Sequence, residues 1–272
     1  MRSDQLSYPP AEVYYKLKMR IIRFKTQNTA PQFGWIRDGR VGVIHGDPFG
    51  EFRRFEEAYD LSEVQLLLPC LPSKIIAVGR NYRAHAAEMN NDVPTYPLIF
   101  LKPPSSLITN GEDIILPPQS NRVEHEAELA IVVGKRSRWL TKENALDAVF
   151  GYTIANDVTA RDLQYLDGQW SRAKGFDTFC PVGPWIETEF DPTDAIITCH
   201  VNNTLRQMSS TREMIFSVEQ LMMYISSIMT LEPGDLILTG TPAGVGLLQP
   251  GDQVSVHIDG IGTLVNPVTG QG

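Results

Sequence analysis

Cysteine is scarce in this chain of 272 residues: only Cys70, Cys180 and Cys199 occur, far apart and with no Cys-x-x-Cys pair. That argues against a disulfide framework and a thiolate zinc site, and it fits a reducing compartment. Basic charge is also in short supply. The 24 Lys and Arg face 32 Asp and Glu, a formal net charge of -8, and no basic patch offsets it. Nucleic acid, which demands clustered positive charge, is not an expected partner. No apolar run approaches the roughly 18 residues of a membrane-spanning helix. Residues 1–18 lack the apolar stretch of a secretory signal and read as a loose tail. The expectation is a cytoplasmic protein that engages neither membrane nor nucleic acid. Familiar fingerprints are missing too: no Gly-x-Ser-x-Gly elbow, no His-Glu-x-x-His and no Rossmann glycine pattern. The glycines of Gly240-Thr241-Pro242-Ala243-Gly244-Val245-Gly246 lack the Gly-Lys-Ser/Thr ending of a phosphate loop. They suit a tight loop that lets Thr241 or backbone groups approach a ligand.

What is present is ordinary globular material, 42% hydrophobic and 21% charged, enough for a sizeable core. Arg20 to Phe24 and Gln32 to Ile44 read as strands with a turn at Asp38-Gly39. Phe52 to Leu68 reads as a mixed linker with helical stretches. From Lys74 onward short apolar strands dominate: Lys74 to Gly79, Leu98 to Leu101, Glu128 to Val133 and Tyr152 to Ala155. Helices are expected over Thr141 to Ala148, Val158 to Leu166 and Ser217 to Met229, the last from its apolar spacing. Two Pro-Gly-Asp turns, at Pro233 and Pro250, each lead into a strand. The strand–helix alternation of a doubly wound sheet is missing, so the fold class is α+β, mostly β. The expected organisation is a tail over 1–18, a small β-rich N-terminal domain over 19–71 and a catalytic domain over 72–272.

One segment stands out. Glu124-His125-Glu126-Ala127-Glu128 carries carboxylates into the start of a buried strand. Residues two apart share a strand face, so Glu126 and Glu128 point the same way, and burying them unpaired costs several kcal/mol. A hard cation relieves that cost; a solvated acidic edge strand is the plainer alternative. Asp157 either caps a helix or supplies a third carboxylate, with Arg161 and Gln164 following on one helical face. His85 and Glu88, three apart, suit a carboxylate-oriented imidazole base or an ordinary surface pair. Lys174, in a glycine-containing loop, is uninformative by itself.

Taken in order, these segments resemble the fumarylacetoacetate hydrolase superfamily from about Lys74 to the C-terminus. The resemblance is carried by Val78-Gly79-Arg80-Asn81-Tyr82 with His85 and Glu88, Phe100-Leu101-Lys102-Pro103, and His125-Glu126-Ala127-Glu128-Leu129. It continues through Asn156-Asp157-Val158-Thr159-Ala160-Arg161-Asp162, Lys174-Gly175-Phe176-Asp177, and Pro233-Gly234-Asp235 leading to Thr239 through Gly246. It implies a mixed β-sandwich roll, usually a homodimer. It also implies Mg²⁺, with Mn²⁺ as substitute, held by Glu126, Glu128 and Asp157. His85 and Glu88 match a catalytic dyad on a lid, expected to be mobile or turned away from the metal, and Lys174 supports the same chemistry. Arg161, Gln164 and Thr241 match substrate-contacting positions. No Asp or Glu lies between Lys74 and His85, where the animal tyrosine-pathway hydrolase has a further ligand. That places the chain with the smaller bacterial-type and mitochondrial members. The implied activity is Mg-dependent hydrolysis of a C–C bond in a small 2,4-dioxo acid of the acylpyruvate or fumarylpyruvate type, through a metal-bound enolate. In that scheme His85 activates water and Lys174 stabilises the oxyanion. Oxaloacetate decarboxylation and isomerisation or tautomerisation of a 2-oxo or 2-hydroxy-dienoate acid use the same residues. A non-catalytic carboxylate-binding relative would not require the dyad.

Overall fold

Alternation along one strand sets the architecture. In Ala127–Val133, Leu129, Ile131 and Val133 enter one apolar cluster while Ala130 and Val132 enter another, so both faces are covered. The computed structural model, which describes residues 19–270, builds two main layers around this strand. The expected tail over 1–18 lies outside the described residues.

The larger layer is a 12-stranded sheet. Its path runs from Phe52–Asp60 through Arg40–Gly46, Gln32–Arg37 and Arg20–Lys25 to Cys180–Glu187, Val149–Asn156 and Ala127–Val133. It then continues to Leu236–Leu238, Ile75–Gly79 and Leu98–Lys102. The second layer is five-stranded, with Ile196–Val201, Gln253–Ile258 and Gly262–Gly270 at its centre. Ile197, Val256, Ile258 and Leu264 from that layer share a cluster with Leu129, Ile131 and Ile154 from the first. The result is a β sandwich with few helices, the α+β, mostly-β class expected from the sequence. Helix Val218–Ile228 closes one end, burying Val218, Leu221, Met222 and Ile225. Ser217 caps it in a box with Gln220, a device that contributes roughly 1 kcal/mol. Among the described residues no helix is long and apolar enough to cross a membrane.

Three local expectations are corrected. Phe52–Asp60 is an edge strand antiparallel to Arg40–Gly46, not a partly helical linker. All its residues are exposed or half-buried, so no buried face marks it. Thr141 to Ala148 is a turn followed by a short 3₁₀ segment, Leu146–Ala148. There the Asn144 side chain accepts from Thr141 N at 2.8 Å, and local side-chain bonds of this kind compete with a helix. Thr159–Ala160 pairs with Val123–His125, so the following helix begins only at Arg161 and ends at Asp167. Gly168 then terminates it in the left-handed region at φ 67°. The hairpin at Asp38-Gly39 forms as expected, with φ of 49° and 77°, the paired positive values of a type I′ turn.

One buried acid fastens the central strands. Asp235 accepts hydrogen bonds from Ser73 N (3.1 Å), Ser73 Oγ (2.7 Å), Lys74 N (3.1 Å) and Glu232 N (2.8 Å), and pairs with the Lys74 ammonium. It thereby locks Leu236–Leu238 parallel to Ile75–Gly79. Asp235→Ala is expected to cost about 3 kcal/mol, because four hydrogen-bond donors and the Lys74 ammonium lose their shared acceptor at once. Urea unfolding measures this; an unchanged midpoint would remove Asp235 from the framework.

Candidate metal centre and active site

The site grows from the ends of two paired strands. Ala127 pairs with Asn156, and just beyond, Asp157 N donates to Glu126 O at 2.9 Å. Asn156 Oδ1 accepts from Glu126 N at 2.9 Å, pinning the same corner. Glu128 shares the face of Ala130 and Val132. The chain breaks from strand geometry at Glu126, between Val123–His125 and Ala127–Val133. One carboxylate oxygen from each of Glu126, Glu128 and Asp157 then lies within 4.8 Å of the others. All three are buried, which rules out the solvated edge strand.

Cations surround two of the three carboxylates. Lys174 Nζ donates to Glu126 Oε2 (2.7 Å) and Asp157 Oδ2 (2.6 Å), while Lys102 Nζ donates to Asp157 Oδ1 (2.7 Å). Arg161 donates through Nε to Glu124 Oε2 (2.7 Å), through Nη1 to Gln164 Oε1 (2.6 Å) and through Nη2 to Glu126 Oε1. Burial disfavours ionisation of Glu126, yet Lys174 and Arg161 outweigh it and hold its carboxyl below the usual range. Glu128 behaves oppositely. Among the described residues it accepts only the Gly240 amide, at 2.6 Å, and burial together with the charges of Asp157 and Glu126 pushes its carboxyl well above the usual range. A buried carboxylate that bonds no cation among the described residues, beside two others, forms an all-oxygen donor set that fits a hard divalent ion. The three cysteines take no part: all are buried, and burial pushes their thiols up to about 12.

The expected dyad borders the same cleft as the carboxylates. In helix Arg83–Glu88, His85 Nδ1 lies 3.1 Å from Glu88 Oε2, and Glu88 Oε1 accepts from Gly244 N at 2.9 Å. Among the described residues His85 Nε2 has no hydrogen-bond partner. Of the segment expected to be mobile or turned away, this structure shows His85 buried and lining the same cleft, with Glu88 held by the 240–246 loop. The cleft measures about 300 Å³. Its walls include His85, Glu126, Glu128, Asp157, Lys174 and Thr241. That volume suits a small acid, at the low end for ligand pockets.

The remaining expected residues divide. Gln164 and Thr241 line the cleft. The Thr241 hydroxyl accepts from Gln207 Nε2 at 2.7 Å, leaving its proton to donate. Arg161 also lines the cleft, and its three nitrogens each donate once, to Glu124, Gln164 and Glu126, so it braces the carboxylates. Lys102, Asn156 and Gln207 were not anticipated. Lys102 sits in the Phe100-Leu101-Lys102-Pro103 motif, which was the available signal. His125, inside the acidic motif, faces the sandwich interior, with Nδ1 3.0 Å from Gln207 Oε1.

Comparison with known proteins agrees with this architecture. Residues 74–269 match the family described as Fumarylacetoacetate (FAA) hydrolase C-terminal, and residues 19–69 match Rv2993c-like, N-terminal. The chain is 56% identical over 197 residues to the MJ1656 protein of Methanocaldococcus jannaschii, covering 72% of this chain and 83% of that one. It is 44% identical over 220 residues to the Bos taurus protein named oxaloacetate tautomerase FAHD2B, mitochondrial, covering 76% and 70% respectively. A crystal structure described as 2-hydroxyhepta-2,4-diene-1,7-dioate isomerase from Mycobacterium marinum superimposes with a TM-score of 0.86 at 44% identity, over 93% of this chain and 99% of that one.

Proposed function

Since this chain belongs to the fumarylacetoacetate hydrolase family, we propose that it is a divalent-metal-dependent tautomerase of a small 2-oxo acid of the oxaloacetate type. The observation that carries this reading is one cleft holding an imidazole, one ring nitrogen of which has no partner among the described residues, beside three buried carboxylates. Proton transfer next to a carbonyl needs little more.

Glu126, Glu128 and Asp157 would hold Mg²⁺, with Mn²⁺ as substitute. The chemistry such an ion supplies is withdrawal of electron density from a chelated 2-oxo group. His85 Nε2 takes the proton from C3 of the keto form as the C2 oxygen gains negative charge, and returning a proton to that oxygen completes the enol. Glu88 stabilises the imidazolium that forms between the two transfers. Lys174 and Lys102 hold the Asp157 carboxylate in place by hydrogen bonds, and Arg161 holds Glu126 in register. The Gln164 amide and the Thr241 hydroxyl offer donors to the substrate carboxylate. No atoms are lost or gained.

Acylpyruvate hydrolysis, the activity expected first from the sequence, needs an oxyanion donor at a second carbonyl. Lys174, cast in that role, already donates to Glu126 and Asp157. The names of the relatives, a tautomerase and an isomerase, support the same preference. A homodimer is retained as the proposed assembly, and the cytoplasm as the proposed location.

The deciding assay gives the protein enol-rich oxaloacetate, acetylpyruvate and fumarylpyruvate with Mg²⁺, following enol absorbance and pyruvate separately. Loss of oxaloacetate enol ahead of any pyruvate is the expected result. Pyruvate released from acetylpyruvate faster than enol is lost from oxaloacetate would make the protein a C–C hydrolase instead.

A further inference from the structure

Among the cations at the cleft, Arg161, Lys174 and Lys102 are committed to carboxylates. Arg80 is not. It lines the same cleft, yet among the described residues its side chain takes part in no ion pair and no hydrogen bond. Its guanidinium carbon lies 6.0 Å from the ring centroid of Trp170, which also lines the cleft. A cation placed against an aromatic face keeps its in-plane N–H groups available, and the planar fork of Arg matches a carboxylate in a two-point contact.

The backbone holds this side chain in place at a conformational cost. Arg80 has φ 58°, a left-handed value that residues with a Cβ seldom adopt and that persists where neighbours enforce it. Here they do. A Cβ at Gly79 would lie 2.6 Å from Trp170 Cζ3, so the missing side chain is what lets Trp170 seat beside the turn. On the other side, Asn81 is buried and donates to Thr239 O (2.7 Å) and Phe216 O (3.1 Å) while accepting from Phe216 N (2.8 Å). A Cβ at Gly240 would approach Asn81 Cβ to 2.7 Å. The turn is clamped from both sides, with an unpaired cation at its apex.

We propose that Arg80 binds the distal carboxylate of the substrate and makes the cleft selective for 2-oxo dicarboxylates over 2-oxo monoacids. The assignment rests on the functional reading above and deepens it. The first carboxylate and the 2-oxo group are accounted for by the carboxylate centre, Gln164 and Thr241; a second carboxylate has one uncommitted cation to meet, and that is Arg80.

The test measures binding, so it does not depend on turnover. Calorimetry in Mg²⁺ buffer compares 2-oxoglutarate with 2-oxopentanoate, which has the same carbon chain and a methyl group where the diacid has its distal carboxylate. The wild-type protein is expected to prefer the diacid by about 10- to 100-fold, the range for a hydrogen bond between charged groups. Arg80→Gln should remove most of that preference while moving monoacid affinity by less than about two-fold, and Arg80→Lys should restore part of it. Gln and Lys, like Arg, are unbranched at Cβ and meet the same backbone penalty. Arg80→Met gives a second neutral variant should the Gln protein melt early. A diacid preference that survives in the neutral variants, an equal loss of both affinities, or no preference in the wild type would each overturn the assignment. If the preference depends on Arg80 but oxaloacetate is not tautomerised, the functional reading falls and the assignment of Arg80 stands.

Discussion

Glu128→Gln is expected to abolish turnover and, at the same time, to raise the melting temperature of the metal-free protein. The two effects have one cause. Glu128 is buried beside Glu126 and Asp157 and, among the described residues, accepts only the Gly240 amide and pairs with no cation. Its ionised form is opposed first by burial and then by those two neighbouring charges. A neutral Gln of similar shape removes the repulsion and keeps an acceptor for Gly240. It also removes an anionic ligand, so added Mg²⁺ should raise the melting temperature of the wild type and leave the variant unmoved. Turnover should fall by about 10³-fold or more, since several kcal/mol of charge stabilisation convert at 1.36 kcal/mol per factor of ten. Chelation of the wild type with EDTA should match the variant's loss, with recovery on adding Mg²⁺ or Mn²⁺. Full activity in chelated enzyme, or a Mg²⁺-dependent rise in the melting temperature of the variant, would dismiss the metal centre.

His85→Ala is expected to lower kcat by about 10²- to 10⁴-fold, the usual range for a positioned acid–base group, with little change in KM. Glu88 acts through His85, since one of its oxygens faces Nδ1 and the other is held by Gly244 N. The double variant should therefore be little worse than His85→Ala alone. The same substitution separates the rival reactions. Decarboxylation requires only the electron sink and should survive the change better than enol–keto conversion. A kcat that does not move in metal-loaded His85→Ala would end the dyad mechanism.

The parts of this molecule that a linear reading reaches are those governed by short-range periodicity. The two-residue spacing of Glu126 and Glu128 forecast a shared face, and the apolar spacing from Ser217 to Met229 forecast a helix that forms over Val218–Ile228. Asp157 came into view through the resemblance, because its nearness to Glu126 depends on antiparallel pairing of two strands. The contacts that tune the centre were out of reach for the same reason. Lys102 meets Asp157 across 55 residues, Gln207 meets His125 across 82, and Gly244 meets Glu88 across 156. Arg161 shows how the type of a residue can be legible while its use is not. A cation near a carboxylate centre suggests a substrate anchor, and the three-way bonding to Glu124, Gln164 and Glu126 adds a second use, bracing the acids. Phe52–Asp60 escapes a linear reading because an exposed edge strand has no buried face to print an alternating pattern.

The two sequence families meet in the gap between residues 69 and 74, yet the material on either side is woven together. Arg20 and Ile21 pair with Glu187 and Ile186, and Thr188 donates to Met19 O from both its amide (3.1 Å) and its hydroxyl (2.8 Å). Arg20 pairs with Glu187 at 3.1 Å and lies over the Trp185 ring. The genetic joint is thus not a mechanical one. Any replacement module grafted ahead of residue 74 would have to bring its own strand in the correct phase for Cys180–Glu187. Otherwise it would leave a raw sheet edge exposed to whatever chain came next.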